Sequence, residues 1–190
     1  MQSFPTANAA INVESSLIAR TPRPQSTSGP AACQGMTRIV LTGATGFIGR
    51  HLAQTLVEQG HEVTCLVRPT STTDHLTALG TRLTTGDVTD ADSLRTAFAG
   101  ADVVYHLAGT IKAVNAAGFA QVNESGTRAV AQACAEQPNP PTLVMVSSLA
   151  AGGPAPDGRL RSETDTVQPV SAYGRSKYAG ELAAAEFADR

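Results

Sequence analysis

A tyrosine and a lysine stand four residues apart in the stretch Tyr173-Gly-Arg-Ser-Lys177. On a helix this spacing places both side chains on one face. A tyrosine with a reference pKa of about 10 is a poor acid or base at neutral pH, but a nearby ammonium stabilises the phenolate and lowers that pKa. The pair therefore predicts proton transfer between Tyr173 and a substrate oxygen. The alternative interpretation is an ordinary helix surface.

A serine that follows a predicted strand supplies a third group of the same kind. Ser148 comes directly after the apolar run of residues 143–146, which we predict as the fifth strand. Ligands of α/β proteins bind at the carboxyl ends of such strands, so the Ser148 hydroxyl could hold the oxygen that Tyr173 protonates. Together with Lys177, this set suits hydride transfer to or from a nicotinamide.

The stretch Thr42-Gly-Ala-Thr-Gly-Phe-Ile-Gly49 places three glycines between a predicted strand and a predicted helix. Such a loop lets the backbone turn tightly and approach a pyrophosphate at the helix N-terminus. The alternative is a purely structural turn. The residues predicted to contact a dinucleotide here are Gly43, Thr45, Gly46, Phe47, Ile48 and Gly49.

The end of the second predicted strand indicates which dinucleotide is bound. Its residues, Leu66-Val67-Arg68-Pro69, include no carboxylate for a ribose 2′-hydroxyl, and Arg68 can pair with a 2′-phosphate. NADP(H) is therefore favoured, with NAD left open; the alternative is that Arg68 is a solvated surface charge. Asp87 and Val88 are predicted near the adenine, unless Asp87 only caps the next helix.

Short β-branched runs alternate with helical patterns, which is typical of βαβ units. Strands are predicted at residues 39–41, 62–67, 82–85, 103–107 and 143–146, and helices at 47–59, 74–79, around 94–98, 117–136 and 173–188. Thr89 and Asp92 are expected to cap the third helix as a pair. The fold class is α/β, a Rossmann doubly wound parallel sheet in three α/β/α layers.

Composition narrows the partners. The net charge is −2 and no long Lys/Arg run occurs, so neither nucleic acid nor an anionic membrane is expected, and a small-molecule substrate is favoured. Cys33, Cys65 and Cys134 include no Cys-x-x-Cys pair, so we predict no metal site and a cytoplasmic, reducing location. No apolar stretch approaches the roughly 20 residues that span a bilayer.

Residues 1–36 are rich in Gln, Ser, Thr, Asn and Pro and are predicted to be a disordered tail before a single domain at 37–190. Met36 could be the true start. Arg20 and Arg23 weakly favour a transit peptide, which Glu14 opposes.

Taken together, the motifs resemble the extended short-chain dehydrogenase/reductase family, which contains sugar-nucleotide epimerases and dehydratases, dihydroflavonol-type reductases and 3β-hydroxysteroid dehydrogenases. The resemblance covers residues 37–190. It rests on Thr42–Gly49, Gly86-Asp-Val88, His106-Leu-Ala-Gly109, Val122-Asn-Glu-Ser-Gly-Thr127, Ser147-Ser148 and Tyr173–Lys177.

The resemblance implies roles for individual residues. Ser148, Tyr173 and Lys177 become a catalytic triad, with Lys177 and Tyr173 also touching the cofactor. Asn123 would support Lys177 through a water or the backbone, unless it is a helix-packing amide. The small residues of the fourth strand end would let the cofactor pass, namely Leu107, Ala108 and Gly109. His106 is expected to be a structural hydrogen-bonding group.

Three functions follow as expectations. The first is NADP-dependent oxidation or reduction of a secondary alcohol or carbonyl by the Ser-Tyr-Lys triad. The second is a nucleotide-sugar epimerase or dehydratase with tightly held NAD, and the third is a non-catalytic dinucleotide-binding module. The family continues past the Tyr-x-x-x-Lys helix into a C-terminal substrate region, so the chain is expected to lack that part. The resemblance also implies a homodimer.

Overall fold

The computed structural model describes residues 35–155 and 159–188. Its centre is a parallel sheet in the order β3-β2-β1-β4-β5, the arrangement of a Rossmann fold. The strands are β1 (Arg38–Thr42), β2 (Glu62–Val67), β3 (Arg82–Thr85), β4 (Val103–His106) and β5 (Thr142–Met145). The predicted fold class is confirmed.

Helices connect the strands and cover both faces of the sheet. They are α1 (Phe47–Glu58), α2 (Asp74–Ala78), α3 (Ala91–Phe98), α4 (Ala116–Ala120), α5 (Thr127–Ala135), α6 (Leu149–Gly152) and α7 (Ala172–Ala185). The left-handed Gly60, with φ of 82°, follows the end of α1 where a helix stop was predicted.

The prediction of one uninterrupted α-helix over residues 117–136 is wrong. A π-helical segment, Gln121–Gly126, separates α4 from α5. It holds Asn123 fully buried, and the side chain of Asn123 bonds to Thr110 and Ser176. Such partners are distant in sequence, so helical periodicity does not report them. The short α6 was not predicted, and α7 ends at Ala185 rather than at 188.

The core lies on both sides of the central strand. Ile39 and Leu41 pack with α1 and α2, whereas Val40 between them packs with α3 and α5. Because successive side chains of a strand point to opposite faces, this alternation is what a sheet covered on both sides requires. The three-layer prediction is thereby confirmed.

The start of α3 differs from the prediction of a Thr89–Asp92 capping pair. Asp90 is the N-cap residue, and its carboxylate accepts the backbone N–H of Asp92 at 3.1 Å. Thr89 instead donates its hydroxyl to Asp87 at 2.7 Å and its backbone N–H at 2.9 Å. Asp87 therefore closes a turn before the helix and does not cap it, because Asp90 already occupies the favoured capping position.

The predicted tail of residues 1–36 lies outside the described residues except for Gly35 and Met36, which are exposed. Cys33 and the transit-peptide residues lie outside them as well. Within the described part of the chain, no helix is long and apolar enough to cross a membrane. The same residues include no group of three His, Cys, Asp or Glu side chains that could hold a metal ion.

A buried polar chain ties β1, β4 and α5 together around His106. Thr42 Oγ1 lies 2.7 Å from His106 Nδ1, and His106 Nε2 lies 3.1 Å from Thr127 Oγ1. The Thr127 hydroxyl donates its hydrogen to the carbonyl of Asn123, so the Thr127 oxygen is left to accept from the His106 Nε2–H. With the proton on Nε2, the Nδ1 of His106 accepts from the Thr42 hydroxyl. His106 is therefore neutral, as a structural residue. Burial, and secondarily the charge of Lys177, lowers the pKa of His106 to about 4.

This arrangement predicts a pH-dependent stability. A histidine whose folded pKa lies below its unfolded value stabilises the fold fully above the unfolded pKa, and that contribution is lost progressively as pH falls from the unfolded pKa to the folded one. For pKa values of 6.5 unfolded and about 4 folded, the loss between about pH 7.5 and about pH 5 is about 2 kcal/mol. Urea unfolding of the wild type and of His106→Gln at both pH values measures it. The other histidines are common to both proteins, so an equal pH dependence in the two would refute the assignment.

Candidate active site

A cavity of about 390 Å³ opens at the carboxyl ends of β1, β2 and β4. In the strand order β2-β1-β4 the chain leaves β1 toward one side and β4 toward the other, and such switch points are where α/β folds bind ligands. The lining residues are Thr42, Gly43, Thr45, Gly46, Leu66, Val67, Arg68, Ser71, Gly86, Asp87, Val88, Leu107, Ala108, Gly109, Thr110 and Val122. Nine of them were predicted cofactor contacts: Gly43, Thr45, Gly46, Arg68, Asp87, Val88, Leu107, Ala108 and Gly109.

The glycine loop passes against the end of β4. Gly43 has a φ of 75°, and a Cβ there would lie 2.6 Å from the backbone nitrogen of Ala108. Gly49 is equally constrained, because its Cβ would lie 2.3 Å from the Gly43 carbonyl oxygen. Gly46 begins α1 without a side-chain hydrogen bond, which leaves the N–H groups of the first turn for an anion. These residues fit the pyrophosphate of a dinucleotide.

Three predicted loop contacts lie away from the cavity lining. Phe47 and Ile48 are 79% and 57% exposed, and Gly49 is buried in the packing of α1 against the loop. The backbone N–H groups of Phe47 and Ile48 stand at the open end of α1, so their contact with a cofactor remains a prediction for the main chain.

Opposite charges flank the far wall of the cavity. Arg68 is exposed at the end of β2, after the buried Leu66 and Val67. Asp87 follows β3, and the pKa of its carboxyl is held below the usual value. The main cause is the hydrogen bond from the Thr89 backbone N–H, followed by that from the Thr89 hydroxyl and, more weakly, by the charge of Arg68. The Arg68 guanidinium, with its fork of donors, therefore lines the cavity at the end of β2.

A second group of predicted residues sits where α6 meets α7. Ser148 is the N-cap of α6, and its Oγ accepts the N–H of Ala150 at 3.2 Å. A Cβ on Gly174 would lie 2.3 Å from the Ala150 carbonyl oxygen, so the start of α7 packs directly on α6. Tyr173 therefore lies beside the α6 turn that begins at Ser148. Its ring packs edge-to-face on Phe119, with centroids 6.0 Å apart.

Lys177 is buried on α7, next to the segment that leaves β5. The residue is 6% exposed, and its ammonium donates to the carbonyl oxygen of Val146 at 2.8 Å. Burial lowers the pKa of Lys177, whereas the carboxylate of Glu181 raises it.

Asn123 clamps the loop after β4 to α7. Its Oδ1 accepts from the Thr110 backbone N–H at 2.8 Å, and its Nδ2 donates to the Thr110 carbonyl and to Ser176 Oγ, both at 2.9 Å. Ser176 immediately precedes Lys177, and its hydroxyl also donates to the carbonyl of Tyr173. The contacts of Asn123 are thus those of the packing amide, and its support of Lys177 through a water or the backbone remains a prediction.

Several lining residues were absent from the predicted site. Thr42, Gly86, Thr110 and Val122 each lie next to a predicted residue in the sequence, so extending each predicted motif by one residue would have included them. The contact of Phe119 with Tyr173 could not be predicted from periodicity, because it joins two helices that are far apart in sequence.

Comparison with known proteins decides the family. A model of the NAD dependent epimerase/dehydratase family matches residues 39–190. The chain belongs to this family. Its members and relatives are NAD(P)-dependent oxidoreductases, epimerases and dehydratases, so the resemblance to extended short-chain dehydrogenases/reductases is confirmed.

Individual relatives are longer than this chain. A ceramide reductase of Caulobacter vibrioides is 36% identical over 143 residues, which are 75% of this chain and 40% of the relative. The 4-hydroxy-2-methyl-3-oxo-4-farnesyl-3,4-dihydroquinoline-1-oxide ketoreductase of Stigmatella aurantiaca is 31% identical over 150 residues, 78% of this chain and 44% of that protein. The WbmG enzyme of Bordetella bronchiseptica, solved with NAD and UDP, is 28% identical with a TM-score of 0.70, covering 80% of this chain and 50% of that one. The chain thus spans half or less of each.

The tight approach of α7 to α6 can be tested by Gly174→Ala. Helix propensity alone would make this change stabilising by about 1 kcal/mol. Because the new Cβ would meet the Ala150 carbonyl oxygen at 2.3 Å, we expect a loss of about 2 kcal/mol in the free energy of unfolding instead. Gly60→Ala is the control, since that position has a positive φ but open space, and should cost about 1 kcal/mol. Urea denaturation of both variants gives the comparison, and a stabilised Gly174→Ala would contradict the packing described.

Proposed function

We propose that this chain binds NADP(H) and contributes the catalytic groups for reversible reduction of a carbonyl to a secondary alcohol. The observation that carries the proposal is the cavity at the switch point, which joins a glycine loop to a β2 end with Arg68 and without a carboxylate. An acidic residue at that place would favour a free ribose hydroxyl, whereas a guanidinium favours a phosphate.

The lining residues divide the work of binding. The N–H groups at the start of α1 would hold the pyrophosphate, with Gly43 and Gly46 leaving room for it. Arg68 would pair with the 2′-phosphate, and Asp87 and Val88 would flank the adenine. The backbone of residues 107–109 would border the path toward α7. A bound nicotinamide dinucleotide supplies the hydride acceptor or donor for the reaction.

The residues of α6 and α7 handle the proton. During reduction, the Tyr173 hydroxyl would donate its proton to the carbonyl oxygen of the substrate, and in the reverse direction it would take that proton back. Ser148 Oγ already accepts from Ala150, so its O–H is the part that can donate to the same oxygen. The Lys177 ammonium would stabilise the Tyr173 phenolate.

Nucleotide-sugar epimerisation with tightly held NAD is the second candidate. It is supported by solved neighbours that contain NAD together with UDP or UDP-glucose, at 28% and 29% identity. In this case NADH would bind at least as tightly as NADPH, and the cofactor would stay with the purified protein.

Cofactor titration separates the two candidates. The chain has no tryptophan, so the fluorescence of bound NADPH or NADH can be followed directly. We expect NADPH to bind more tightly, and Arg68→Ala to weaken NADPH about tenfold while leaving NADH unchanged, because only a phosphate pairs with this guanidinium. Arg82→Ala is the matched control, because Arg82 carries an equal charge at the amino end of β3, whereas the cavity lies at the carboxyl ends of the strands. A preference for NADH would favour the second candidate, and binding of neither would refute both.

Tyr173→Phe tests the proton transfer. In a panel of ketones and aldehydes followed by NADPH oxidation, the variant should lose turnover by about a thousandfold, since the phenol hydrogen is removed. Its affinity for NADPH should stay close to that of the wild type. Tyr178→Phe removes a hydroxyl from the same helix and should leave turnover unchanged. Turnover that survives in Tyr173→Phe would show that another group carries the proton.

A further inference from the structure

Three polar side chains follow one another along α7 at intervals of four residues. Tyr173, Lys177 and Glu181 occupy successive turns and therefore share one face of the helix. The first two belong to the proposed catalytic set, whereas Glu181 has no assigned part.

The residues that leave β5 hold two of these turns. Val146 accepts the Lys177 ammonium at its carbonyl oxygen, 2.8 Å away. The next residue, Ser147, donates its hydroxyl to Glu181 Oε1. Adjacent residues of one segment thus fix adjacent turns of the helix, one through a cation and the other through a carboxylate.

A buried ammonium needs compensation. Lys177 is 6% exposed, and removing a charge from water is costly unless an opposite charge or several hydrogen bonds offset it. The Val146 carbonyl supplies one hydrogen bond. Burial lowers the pKa of Lys177 and the Glu181 carboxylate works against that change.

Other charges around Lys177 do not take this part. His106 on β4 is neutral near pH 7, since burial lowers its pKa to about 4. The sequences of α4 and α6 contain no titratable side chain. The π-helical segment contributes Glu124, and α5 contributes Arg128, whose guanidinium pairs with Glu186 and is also attracted by Glu124. The carboxylate acting on Lys177 is that of Glu181.

We propose that Glu181, anchored by Ser147, is a positioning residue that keeps the Lys177 ammonium charged and in place beside Tyr173. The inference rests on the proposed function for the catalytic importance of Lys177. The effect of Glu181 on the Lys177 ammonium involves only residues of this chain. Glu181 acts on the chemistry through Lys177 and touches neither cofactor nor substrate in this scheme. Without its charge, Lys177 would lose its proton at a lower pH, and the Tyr173 phenolate would lose its counter-ion.

The titration of Lys177 can be observed directly. The chain has two lysines, Lys112 and Lys177, so protein labelled with ¹³C at the lysine ε-carbon gives two resonances, and Lys112→Arg assigns them. The ε-carbon shift followed against pH reports the protonation of each ammonium. This measurement needs neither cofactor nor substrate, so a negative result here is separable from a failure of NADPH binding or of turnover.

Glu181→Gln keeps the size of the side chain and its acceptor oxygen while removing the charge. We expect the acid dissociation constant of the Lys177 ammonium to rise about tenfold in this variant. Glu186→Gln, which removes an equal charge from the exposed end of the same helix, should leave it unchanged. No change in Glu181→Gln, or an equal change in Glu186→Gln, would overturn the proposal.

Ser147→Ala provides a second, milder variant. It keeps the carboxylate but removes its anchor, so the dissociation constant should move in the same direction by a smaller factor. If Glu181→Gln fails to fold, as judged by circular dichroism, Ser147→Ala decides alone, and an unchanged Lys177 titration there would count against the proposal.

Discussion

The backbone contact between the end of β1 and the end of β4 sets the geometry of the whole site. A Cβ on Gly43 would lie 2.6 Å from the nitrogen of Ala108, so the two strand exits are too close to admit a side chain at that position. Thr42, one residue earlier, accepts the N–H of Ala108 and bonds to His106. The glycine loop therefore lies directly against the end of β4, and the cavity opens where these two exits diverge.

The helix α7, which carries the proposed catalytic residues, is positioned by contacts other than the approach of β1 to β4. The α7 backbone meets a carbonyl oxygen at both ends of its buried face, at Ala150 opposite Gly174 and at Asn123 opposite Gly180, each 2.3 Å from where a Cβ would stand. Asn123 belongs to the π-helical segment, which widens the turn that carries this carbonyl and its clamping side chain. The strand ends therefore place the cavity, whereas helix packing places α7 together with the hydrogen bond from Lys177 to the carbonyl of Val146, just after β5.

The parts that the sequence predicted well depend on local patterns. The strand bounds of β2 and β3 match the prediction, and the stop at Gly60 needs only its own conformation. The π-helical segment, the cap at Asp90 and the partners of Asn123 were not predicted. Asn123 bonds to Thr110 and to Ser176, 13 and 53 residues away, and no periodicity encodes such pairs. Motif spacing could name Tyr173 and Lys177 because they share a helix, but it could not show that the Ser147 hydroxyl bonds to Glu181.

The polar chain through His106 has a direction. The Ala108 amide donates a hydrogen bond to Thr42, and Thr42 donates to His106. His106 in turn donates to Thr127, which donates to the carbonyl of Asn123. Each hydroxyl or ring serves one neighbour as donor and the other as acceptor, so replacing one member alone strands two buried groups. The effects of replacing Thr42, His106 and Thr127 are therefore epistatic, because the cost of each replacement depends on whether its hydrogen-bond neighbours are present.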